Sequence, residues 1–164
     1  MARIRGRGNK ETEIALVKLL RVAGIAGWRR QQVIRVDDAE RRAGTARPTN
    51  VRADFIFPKQ RLVVFVDGCF WHGCPQHSPP VKWLRRSSMA ETARSFDKLR
   101  MTTRRRTGKA FWRAKLAANK RRDRFVTRSL RRQGWTVIRI WEHELATRPR
   151  RCIERIKAVT VYRR

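Results

Sequence analysis

The chain has 164 residues, with 42 Lys+Arg against 13 Asp+Glu for a formal charge of +29. That charge excludes basic partners and points to a polyanion, whereas a 41% apolar share excludes wholesale disorder. The length suits one domain with its own core; no apolar run nears the ~18 residues of a spanning helix and the start lacks a signal-peptide core, so a soluble, intracellular, cytoplasmic protein is expected.

Residues 1–8 are basic and aperiodic, and a flexible arm is expected there. Asn9 can cap a helix that carries Glu11 and Glu13 in its first turn, and Ile14, Val17, Leu20 and Ala23 recur at helical spacing until Gly24 ends it. Trp28 to Val36 reads as a strand, and the polar stretch from Asp37 to Arg52, with Gly44 and Pro48, as a loop. Ala53 to Phe57 and Leu62 to Val66 are β-branched and aromatic runs separated by Pro58-Lys59-Gln60-Arg61, a hairpin signal. With Phe57 opposite Leu62, Asp54 faces Phe65, and sheet twist with a small change of register brings it within reach of Asp67. Residues 84–107 have no sustained apolar face and read as an inserted loop. A long helix starts at Lys109 with a stripe of Trp112, Leu116, Val126 and Leu130, interrupted by Asn119 and Asp123, and stops at Gly134. Trp135 to Trp141 is the last strand, Glu142-His143-Glu144 its exit, and Pro149 to Val159 a closing helix. Alternating helices and strands make an α/β (α+β) fold.

The chemistry concentrates in the loop after the second hairpin strand. The chain has three histidines and three cysteines, and Cys69, His72, Cys74 and His77 fall within one short stretch behind Asp67. Cys69, Cys74 and His77 supply three ligands of the type that holds zinc, with His143 or Cys152 available as a fourth. His72 is then left over, a histidine near two acids and suited to act as a general base. Asp54 and Asp67, converging at one end of the hairpin, suit a hard divalent cation such as Mg²⁺. Phe70 and Trp71 lie on a loop too small to bury both rings, which in a DNA-binding chain reads as a stacking wedge.

The run Val66-Asp67-Gly68-Cys69-Phe70-Trp71-His72-Gly73-Cys74-Pro75, then Phe111-Trp112 with Lys115, Asn119 and Arg122-Asp123, then Gly134-Trp135 and Trp141-Glu142-His143-Glu144-Leu145, resembles the very short patch repair (Vsr-type) DNA mismatch endonucleases. The resemblance spans most of the chain. It implies one nuclease domain over 1–164, with a restriction-endonuclease-like core, a mixed sheet flanked by helices, and a zinc-pinned loop. It further implies Mg²⁺-dependent nicking of double-stranded DNA on the 5′ side of the thymine in a T·G mismatch, the product of 5-methylcytosine deamination, by a nucleoid-associated monomer. By position, Asp54 would be the principal Mg²⁺ ligand with Asp67 beside it, Val66 would offer its carbonyl, His72 would be the base, and Glu13 would be an acid near the site. Phe70 and Trp71 would intercalate, Asn119 and Arg122 would lie along the DNA, and His143 would be preferred over Cys152 as fourth zinc ligand. A related restriction-type endonuclease and a catalytically silent basic DNA-binding module are the alternatives.

Overall fold

A computed structural model of the protein describes residues 10–36, 49–77 and 108–162. The arm expected over 1–8, the inserted loop expected over 84–107 and most of the loop expected over 37–52 lie outside the described residues. A four-stranded sheet runs in the order β1 (Arg29–Val36), β2 (Thr49–Phe57), β3 (Leu62–Asp67), β4 (Thr136–Trp141). β1, β2 and β3 pair antiparallel, and β3 pairs parallel with β4, so the sheet is mixed.

Side chains alternate between the two faces of β3, and both faces are covered. Val63 and Phe65 join Val126 and Leu130 of helix α2 (Gly108–Arg132) on one side. Leu62 and Val64 join Leu16 and Leu20 of helix α1 (Lys10–Val22), together with Ile153 and Ile156 of helix α4 (Pro149–Tyr162), on the other. Gly134, at φ 80°, ends α2 in a left-handed conformation that suits glycine. A mixed sheet flanked by helices is the α+β arrangement expected.

Three details differ from the sequence reading. β2 begins at Thr49, not Ala53, because Thr49 to Arg52 extend the ladder with β1 while exposing Asn50 and Arg52. Glu142–Thr147 is a short helix, α3, whose entrance is held by Glu144 Oε2 accepting from the Trp141 amide at 3.2 Å. Trp112 is 39% exposed and does not join the core stripe of Val126 and Leu130.

The register explains where a site can form. Phe57 pairs with Leu62 as expected, and Asp67 lies beside Trp141 in the parallel pair. The loop after β3 and helix α3 after β4 therefore leave the sheet from the same, carboxyl, end, where ligands of α/β sheets characteristically bind.

Candidate active site and metal centre

Asp54 faces β3 just beyond the Phe55–Val64 pair, and there its Oδ2 accepts the Val66 amide at 2.8 Å. Burial dominates its electrostatics; the Val66 hydrogen bond partly opposes this, the charges of Glu13 and Asp67 reinforce it, and the pKa rises from 3.8 to about 6. Glu13, on α1 and 3% exposed, accepts from Arg30 Nη2 at 2.7 Å and from Gln31 Nε2 at 2.8 Å. The same Gln31 nitrogen lies 3.4 Å from Asp54 Oδ1, so one amide spans both carboxylates. Gln31 adopts φ 54° between the Arg30–Phe55 and Gln32–Ala53 pairs, a left-handed backbone in mid-strand for a residue with a Cβ.

At the end of β3, Asp67 is 3% exposed, and its two oxygens take Arg139 Nε and Nη2 at 2.6 Å each. Arg139 Nη2 also reaches Asp123 Oδ1 at 3.0 Å, and its guanidinium lies over the Phe65 ring at 5.1 Å. Asp123 Oδ2 in turn meets His72 Nδ1 at 2.7 Å, with Asp67 Oδ1 3.6 Å from the same nitrogen. Burial alone would lower the His72 pKa. The Asp123 hydrogen bond and the charges of Asp67 and Asp123 outweigh that and raise it. The Asp123 carboxyl is held below its ordinary range because the His72 hydrogen bond and the Arg139 charge overcome its own burial.

These four acids are not equivalent. Glu13 is met by Arg30, and Asp67 and Asp123 by Arg139 and His72, whereas the hydrogen-bond contacts of Asp54 are the Val66 amide and the Gln31 side-chain amide, both uncharged. Asp54 is thus the acid whose ionised form a bound cation would most relieve. The Asp54 and Glu13 carboxylates, spanned by the Gln31 amide, are hard-oxygen donors of the kind a divalent cation of the Mg²⁺ type takes. Asp67, expected as a second ligand, is instead engaged through both oxygens by Arg139.

The loop after β3 and helix α3 assemble a second cluster. Donor atoms of Cys69, Cys74, His77 and His143 all lie within 4.8 Å of one another and could hold a metal ion. Cys69 Sγ is 3.2 Å and Cys74 Sγ 3.5 Å from His143 Nδ1, and Cys74 Sγ is 3.7 Å from His77 Nδ1. Tetrahedral bonds of about 2.3 Å to sulfur and about 2.0 Å to nitrogen put ligand atoms about 3.3–3.8 Å apart, close to these three separations. Burial, reinforced by the neighbouring Cys74, pushes the Cys69 thiol up, which a cation would reverse. The Cys69 amide points to Glu142 Oε2 at 3.4 Å, and Gly73, at φ 67°, supplies the tight turn. Cys152, the other candidate fourth ligand, is 2% exposed within the α1–α4 core and outside this group.

Phe70 and Trp71 are 48% and 38% exposed, as expected for the wedge. Sequence reasoning missed their partner: Trp112 lies 5.4 Å from Phe70 and 5.7 Å from Trp71, making a three-ring surface cluster. Asn119 donates to the Trp71 carbonyl at 2.8 Å, so it holds the loop backbone, while Arg122 is exposed on α2. Also missed were Gln31 and Arg139. Nothing in a single sequence marks a left-handed strand residue, and Arg139 becomes visible only once β4 is set parallel to β3.

Fold and site together define a class: a strongly basic α/β protein with a carboxylate–imidazole cluster, a candidate metal centre and an exposed aromatic patch at one end of a mixed sheet. Comparison with known proteins narrows this. Residues 39–77 match the family model described as DNA mismatch endonuclease Vsr. The chain is 37% identical over 94 residues to the type II nicking enzyme V.NaeI of Lentzea aerocolonigenes, covering 57% of this chain and 42% of that protein. It is 32% identical over 106 residues to the type II nicking enzyme V.NmeDIP of Neisseria meningitidis serogroup C, covering 65% and 57%. It is 29% identical over 99 residues to the DNA mismatch endonuclease Vsr of Escherichia coli K12, covering 59% and 47%. The chain spans about half the length of these curated relatives. Over these stretches it is similar to the Vsr-type endonucleases. No helix among the described residues is long and apolar enough to cross a membrane.

Proposed function

We propose that the protein is a Mg²⁺-dependent DNA endonuclease that nicks one strand on the 5′ side of the thymine in a T·G mismatch, acting as a single nuclease domain and a monomer with a restriction-endonuclease-like core. The observation that carries the reading is the chain of contacts at the end of β3. Asp54, a half-buried acid with no cationic hydrogen-bond partner among the described residues, and the His72–Asp123 pair flank the Asp67–Arg139 ion pair. Asp54, the Val66 carbonyl and Glu13 would hold Mg²⁺, which when bound supplies positive charge to the scissile phosphate. Asp123 accepts at His72 Nδ1, which leaves Nε2 to take a proton from the attacking water. Arg139 holds Asp67 and Asp123 in place, so His72 keeps its orientation.

Zinc on Cys69, Cys74, His77 and His143 would tie the loop that carries Phe70, Trp71 and His72 to helix α3. The two exposed rings can enter a base step beside a mispair, whose weaker stacking makes it the cheaper step to open. Nicking, as opposed to cutting both strands, is supported by the names of the Lentzea and Neisseria relatives, and mismatch specificity by that of the E. coli one. The test is incubation of the full chain with matched and T·G duplexes, with and without added Mg²⁺. Nicks confined to the T·G duplex with Mg²⁺ are expected; equal nicking of both duplexes would overturn the specificity, and full-rate nicking without Mg²⁺ the mechanism.

A further inference from the structure

Helix α2 turns Val126 and Leu130 into the core and leaves its other side exposed, with Arg124, Arg128 and Arg131 at helical spacing. Together with Thr127 and, from β4, Arg139, these residues line a groove of about 630 Å³ that begins at Asp123. The acid at its mouth is already engaged by His72 and Arg139, and among the described residues lining the groove arginines outnumber acids. Thr127 Oγ1 is buried in this wall with no hydrogen-bond partner among the described residues.

From Arg124 to Arg131 the helix rises about 10 Å, with the three arginines about 6 Å and about 4.5 Å apart along it. A row of exposed guanidinium forks suits a polyanionic backbone, since each can bind phosphate oxygens in bidentate fashion. We propose that this groove is a backbone subsite: it seats the phosphodiesters flanking the scissile one, and the strand leaves the His72–Asp123 pair along α2 toward Arg131. The inference rests on the proposed function and adds the path of the strand. It makes Arg124 and Arg131 phosphate-binding residues, on the face of α2 away from the aromatic cluster.

The test is duplex binding by the full chain without Mg²⁺, measured over a range of salt concentrations. Each lost phosphate contact reduces the slope of log K against log salt by about 0.9. Arg124→Ala/Arg131→Ala is expected to reduce the slope by about 1.8. Arg150→Ala/Arg151→Ala, which removes the same charge from exposed positions on α4, should leave it unchanged. An unchanged slope in the first variant, or an equal reduction in both, overturns the subsite while leaving duplex binding standing. Failure of the parent chain to bind any duplex would overturn the proposed function and the subsite with it.

Discussion

Asp54→Asn should separate stability from activity, raising one and abolishing the other. In the folded protein the Asp54 carboxyl keeps its proton up to about pH 6, against 3.8 for a free one, because burial and the nearby acids disfavour its charge. At 1.36 kcal/mol per pH unit, the distance from 3.8 to about 6 corresponds to at most about 3 kcal/mol of strain carried by the ionised group at neutral pH. Asparagine keeps an oxygen for the Val66 amide, but it sets its own N–H groups against the Gln31 amide, which reduces the gain. A net gain of about 1–2 kcal/mol, or roughly 3–6 °C for a chain of this size, is expected without added Mg²⁺. The folded protein binds more protons than the unfolded chain between pH 3.8 and about 6, so wild-type stability falls as pH rises through that window and then levels off. The variant's advantage should therefore be full above pH 6 and absent near pH 4. Thermal melts of both proteins across pH 4–8, with nicking assays at pH 7.5, decide it. A variant less stable at neutral pH, or equally stabilised at pH 4 and pH 7.5, would refute the reasoning, and so would retained nicking.

Cys74→Ser should lose its bound zinc and lower both melting temperature and activity, whereas His72→Ala should keep zinc and melt normally yet nick ~10²-fold more slowly; metal analysis of both proteins separates the two roles. Because His72 must lose its proton to act as base, nicking should rise with pH through a midpoint above the ordinary 6.5, and Asp123→Asn should move that limb to lower pH, measured as a pH–rate profile. Gln31→Gly should hold its melting temperature within about 2 °C, since relief of the left-handed backbone offsets the lost hydrogen bonds, while slowing nicking about tenfold or more through misplacement of Glu13 and Asp54. An unchanged nicking rate would show that Gln31 positions neither acid.

Much of the fold was legible because its elements carry strong periods. The helical spacing of Val17 and Leu20 marked α1, although Ile14, read on the same stripe, is 44% exposed, and the apolar run of β3 marked a strand buried on both faces. The turn Pro58–Arg61 set the hairpin register from which the position of Asp54 followed. The start of β2 was hidden because Asn50 and Arg52 lie on its exposed face and read as loop residues. α3 has only six residues, too few to display a helical period. Within the site, Cys69, Cys74 and His77 could be found by ligand type and spacing, whereas the choice of His143 over Cys152 came only with the resemblance. The Asp67–Arg139 pair could not be found, since it joins residues 72 positions apart through a parallel pairing that the sequence does not state. Trp112 shared its helical phase with core residues, and only the loop's approach shows that it stacks on Phe70 and Trp71.

The central claim, that this end of the sheet breaks one phosphodiester beside a mispair, is tested most directly by mapping the break at nucleotide resolution. End-labelled T·G and matched duplexes are incubated with the full chain and Mg²⁺, each strand being labelled separately. The account predicts one break, in the thymine-containing strand, at the phosphodiester 5′ of the mismatched thymine. Breaks in both strands, or the same break in the matched duplex, would contradict it.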